Sequence, residues 1–175
     1  MKPLREVGEA YMALATAERQ ILDGDFVASA QSSRKAMELS RMIPAEEAFD
    51  HHGFDAFCQA SLALAEAKSD RFEECREASD SALHYFNRRG ELNQEDGKFW
   101  IKAVFSRALA LDALGQGKEA LAEFRKAGEM IAERTGELPG KEEMQRTAQH
   151  AISRLESLYP GAKKPGYKAW WEFWS

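Results

Sequence analysis

Apolar residues recur at three- and four-residue intervals along most of the chain, and strand-type alternation is sustained nowhere. The pattern predicts seven helices, over roughly 4–22, 26–42, 46–68, 71–88, 95–114, 117–134 and 140–158. Ala, Glu, Leu, Arg and Lys fill these segments, all good helix formers. The breaks have local causes. Gly24 and Asp25 supply a tight turn, and Pro44 ends the second segment. Gly90, Gly115 and Gly136 suit C-terminal caps, because glycine enters the left-handed region cheaply. Pro139 fits a first helical turn. The turns near 23–25, 69–71 and 115–117 are short enough to force antiparallel neighbours.

Small residues return at a fixed interval. Ala17, Ala63 and Ala108 form one column, Ser29, Cys75 and Ala120 a second, and Ala36, Ala82 and Ala127 a third; each steps by 46 and then 45 residues. Gly90-Glu91-Leu92 recurs 46 residues later as Gly136-Glu137-Leu138. Self-similarity of this kind marks stacked repeats. Small residues in register belong where helix backbones approach closely.

These residues resemble the tetratricopeptide repeat (TPR) family. The best copy is the third, with Val104, Ala108 and Leu111 on the first helix, Gly115 at the turn, and Ala120, Phe124 and Ala127 on the second. The second copy keeps Leu62, Ala63, Phe72 and Ala82; the first keeps Ala17, Gly24, Phe26 and Ala36. The family's usual repeat is about 34 residues. The interval here is longer by about three helical turns, which lengthens helices without rotating their buried faces. The resemblance implies an all-α fold: a TPR-like right-handed superhelix of about three long helix-turn-helix repeats, with a C-terminal capping helix, over residues 1–159. It also implies kinship with small bacterial TPR-like proteins of no assigned activity. In the seventh segment Met144, Ala148, Ala151, Ile152, Leu155 and Tyr159 make one apolar stripe. Arg154 stands there in the alanine column and gives the polar outer face that a terminal repeat needs.

In that family the first helix of each pair lines the concave surface. Aligned on the alanine column, Tyr11, Leu14, Phe57, Leu64, Phe105 and Leu109 face that side, with Glu18 and Lys102 as charges. The family's clamp for a peptide carboxylate uses Lys and Asn. Leu14, Glu18 and Ser61 stand at those places, and Lys102 alone fits. The implied function is a non-enzymatic interaction scaffold that binds a peptide or protein in an apolar concave groove.

Composition agrees with a globular domain: 44% apolar and 30% charged residues. A net charge of -5 argues against a nucleic-acid surface. No apolar run approaches the ~20 residues of a membrane span. The N-terminus lacks a signal-peptide core, so a cytoplasmic protein is expected. Cys58 and Cys75, the two cysteines, are no disulfide framework and read as structural thiols.

Candidate chemistry is sparse. His51 and Asp55 share a helix face, yet adjacent His51 and His52 diverge, so neither metal nor cofactor is expected and a solvated helix start is. No phosphate loop, nucleophile elbow or triad context occurs. Glu119, Glu123 and Lys126 read as a solvated face. Residues 160–175 form a linker and an aromatic tail, with Lys163, Lys164 and Lys168 beside Trp170, Trp171, Phe173 and Trp174. Such rings favour burial on protein or at a membrane interface. The tail therefore offers two alternatives to the scaffold reading: self-association into an oligomer, or peripheral membrane attachment.

Overall fold

The computed structural model describes residues 2–161, with side chains from Arg5 onward; the tail anchors Trp170, Trp171, Phe173 and Trp174 lie outside them. Among the described residues there are seven helices and no strand: α1 Lys2–Leu22, α2 Phe26–Arg41, α3 His51–Lys68, α4 Phe72–Arg89, α5 Gly97–Ala113, α6 Gly117–Glu133 and α7 Lys141–Leu158. Each consecutive pair packs together, and α3 also packs broadly on α5, whereas α1 touches α3 only lightly. This is the stacked helix-turn-helix arrangement of an all-α repeat fold.

All nine residues of the three small columns are fully buried. At one of them the Ser29 hydroxyl donates to the Ala17 carbonyl at 2.7 Å, tying α2 to α1. At another, the Cys75 thiol donates to the Ser106 carbonyl at 3.2 Å, tying α4 to α5. Both cysteines are free and buried. Burial pushes the Cys75 thiol up to about 12 and Cys58 higher still, so both act as small apolar groups. The stripe on α7 is buried at Met144, Ala148, Ala151 and Leu155. Arg154 stays half-exposed and pairs with Asp112 of α5.

Several local expectations are corrected. The third helix starts at His51 rather than near 46, because the Asp50 carboxylate caps it by accepting from Gly53 N at 2.9 Å. His51 is half-buried rather than solvated. Its ring nitrogens lie 3.1 and 3.0 Å from the Phe49 and Ile43 carbonyls, and its ring meets Phe49 edge-on. Left-handed backbone falls at Gly24, Asp70, Gly115 and Gly140, not at Gly90 or Gly136. Gly90 is extended, and a Cβ there would strike the Phe86 carbonyl and the Trp100 ring. Pro139 precedes α7, whose N-cap is Gly140. Glu123 and Lys126 are buried, not solvated.

Candidate functional site

The odd-numbered helices share one face, and two cavities open on it. The larger, about 530 Å³, lies between residues 11–18 of α1, the first half of α3 and the start of α5. Tyr11 stands 48% exposed at its edge. Its ring meets Phe54 edge-on at 4.9 Å. Phe57 stacks on Phe99 at 5.1 Å, and that pair forms an aromatic wall whose other side leans on Phe86. Leu14 lines the same cavity but is itself buried. The polar rim carries Glu95 and Asp96, from the loop that enters α5, and Lys98.

The second cavity, about 260 Å³, collects residues from α1, α3, α5 and α7. Leu64, Phe105 and Lys102 line it, and all three are buried. Glu18 lies between the two cavities. Its carboxylate takes Lys98 at 3.0 Å and Lys102 at 3.5 Å, a bridge from α1 to α5 that divides the inner face. Lys68 of α3 reaches Glu143 of α7 at 2.6 Å beside the second cavity. The structure thus brings Tyr11, Leu14 and Phe57 together, and separately Leu64, Lys102 and Phe105. Leu109 joins neither group; it lines a third cavity with Phe124 and residues of α7.

Electrostatics differ between the two. Burial lowers the Lys102 ammonium below its usual value, and Glu18 only partly offsets this. At the larger cavity the Tyr11 hydroxyl is raised by burial and then by Asp50 and Glu95. Asp96 is raised by burial, with Glu91 and Glu95 adding to it and Arg134 opposing. The larger cavity therefore combines aromatic walls with a negative field. No group of three or more His, Cys, Asp or Glu side chains among the described residues is placed to hold a metal.

A crystal structure of a TPR-like protein from Chlorobium tepidum TLS shares 58% identity with this chain, covering 89% of it and 99% of the other, at a TM-score of 0.83. The family described as a domain of unknown function, DUF3856, matches residues 2–144. The chain belongs to this family. A comparison with curated proteins returns no match. The DUF3856 chain thus has the TPR-like helical-repeat fold that its small-residue columns imply, a fold suited to protein-interaction scaffolds. No described helix is long and apolar enough to cross a membrane.

Two structural features of the site escape a reading of the sequence. Phe99 completes the aromatic wall, although it sits in the first turn of α5 and was not among the residues assigned to the groove. Arg134 holds the loop that carries Glu95 and Asp96: its guanidinium donates to the carbonyls of Leu92 and Gln94 at 2.7 and 2.8 Å. The repeated Gly-Glu-Leu at 90–92 and 136–138 was the one available signal that these two loops belong together. Arg134 Nε also donates to the Glu137 carbonyl, closing that link.

Proposed function

We propose that this protein is a non-enzymatic scaffold that binds a peptide or protein segment on the inner face of its helical stack. The larger cavity carries the reading. It is open, lined by Tyr11, Phe57 and Phe99, and built on side chains from three helices. Its size suits one or two large side chains rather than a whole domain surface. Tyr11 and Phe57 are the residues expected to touch the partner, with Leu14 as floor. Leu64, Phe105 and Lys102 form a smaller, more enclosed pocket next to it that can take a further side chain. Leu109 is the weakest member, because its cavity faces α7.

The negative field sets the chemistry of the partner: a segment with aromatic and basic residues. Selection of a random peptide display library on the full-length protein tests this. Enriched peptides should pair aromatic residues with Lys or Arg. Tyr11→Ala and Glu95→Lys should each weaken them about tenfold, with circular dichroism unchanged. Peptides that bind the native and both variant proteins equally would place the binding surface elsewhere.

A further inference from the structure

We propose that the acidic-rimmed aromatic cavity is the docking site of this chain's own segment 167–174, which occupies it until a partner displaces it. The inference rests on the reading of this cavity as a peptide site and names its resident ligand. Three observations carry it.

The first is charge. Lys98 is taken by Glu18 at 3.0 Å. Neither Glu95 nor Asp96 makes an ion pair among the described residues, and Asp50 and Glu91 add to the field around Tyr11 and Asp96. The rim thus carries net negative charge, which Arg134 offsets only in part at Asp96. Within the segment Lys168 faces one acid, Glu172; the basic excess comes from Lys163 and Lys164 just before it, in a chain that is acidic as a whole. The second is shape and polarity. The cavity presents the exposed face of Tyr11 and the half-buried Phe57, with the buried Phe99 stacked behind it. The segment presents Tyr167, Trp170, Trp171, Phe173 and Trp174, rings that seat against aromatic walls and form cation–π contacts through their lysine neighbours.

The third is reach. Tyr159, the C-cap of α7, packs so closely on Gly117 that a Cβ there would meet its ring. The chain therefore leaves the body at the end of α5, whereas the cavity lies at the start of α5. From Ala113 back to Phe99 is about 21 Å along the helix axis. Two interhelix spacings of about 8–10 Å add a lateral offset, so the straight path is on the order of 30 Å. From Tyr159 the extended chain spans roughly 36–40 Å to Trp170 and roughly 46–50 Å to Phe173. The aromatic run can return to its own cavity, and tethering gives it a local concentration that a free peptide must outcompete.

Cysteine trapping in the full-length protein tests the proposal. Ala15 lines the cavity and Ala169 lies within the segment, while Cys58 and Cys75 are buried and do not compete. In Ala15→Cys/Ala169→Cys, mild oxidation should give an intramolecular disulfide at least tenfold faster than in Ala122→Cys/Ala169→Cys, whose first cysteine lines a different cavity. Adding Glu95→Lys should slow the first reaction several-fold, and Lys168→Glu on top of it should restore the rate. Equal rates in the two pairs, or a disulfide formed only between two chains, would overturn self-docking. Trapping that succeeds while no displayed peptide binds even Lys168→Glu, whose segment holds the acidic rim less well, would leave this inference standing and sink the scaffold reading instead; peptide binding without trapping would do the reverse.

Discussion

Glu123 lies on α6 among positions that the sequence presents as a solvated face, and it is buried. Arg107 approaches it at 3.6 Å and Lys126 lies near, yet burial outweighs both and raises its carboxyl above the ordinary 4.5. A raised carboxyl binds its proton more tightly in the folded chain. Its contribution is therefore complete below pH 4.5 and is lost as pH rises through the folded value. Glu123→Gln resembles the protonated form. Thermal melts between pH 4 and 8 should show the variant gaining on the native protein as pH rises above about 4.5 and then levelling. A constant difference would mean that the charged form is not penalised. His51 makes the opposite kind of departure: a residue with metal-ligand chemistry serves as a strut, between the carbonyls of Phe49 and Ile43. His51→Ala should cost about 1–3 kcal/mol, by orphaning the Ile43 carbonyl (that of Phe49 keeps the His51 backbone N–H), while the exposed His52→Ala should be near neutral. Equal effects in urea denaturation would remove the distinction.

At the scale of elements, the turns repeat more faithfully than their sequences do. Left-handed residues fall at Gly24, Asp70 and Gly115, in the same 46- and 45-residue steps as the small columns. Two of the three were legible as glycine turns. The third was not, because Asp70 hides the same backbone under an ordinary side chain with φ 59°. Asp70→Gly should stabilise the protein by about 0.5–1 kcal/mol, since glycine carries no Cβ penalty there. A loss of stability in the melting curve would show that the aspartate side chain matters more than its backbone. The misplaced start of α3 has a similar origin. Ala45, Glu46, Glu47 and Ala48 favour helix by propensity, but Phe49 packs against the core and Asp50 caps the helix that follows. Tertiary contacts decide such boundaries, and a single sequence does not display them.

For the whole molecule, helix phase was legible and helix crossing was not. The alanine column places Tyr11, Leu14 and Phe57 on one face, and they do line one cavity. That Glu18 would bridge to Lys98 and Lys102 and split the inner face depends on how α1 lies across α5, which no local pattern encodes. The same packing makes the stack unequal along its length. α3 and α5 are each clasped by neighbours on several sides, while α1 has one full partner, α2. Ala17, Ala63 and Ala108 are all at zero exposure and occupy equivalent positions. Enlarging them therefore probes the environment and not the residue. Ala63→Leu and Ala108→Leu should each cost about 1–3 kcal/mol in urea denaturation, the usual penalty for overpacking a close helix contact. Ala17→Leu should cost clearly less, because α1 can shift outward and carry the added methyl groups with it. Stability in a repeat stack is a sum of nearest-neighbour terms, so a terminal helix yields where a central one cannot. Should Ala17→Leu prove as damaging as Ala108→Leu, the first repeat is held as firmly as the centre, and the Glu18 bridge to α5 becomes the contact that holds it.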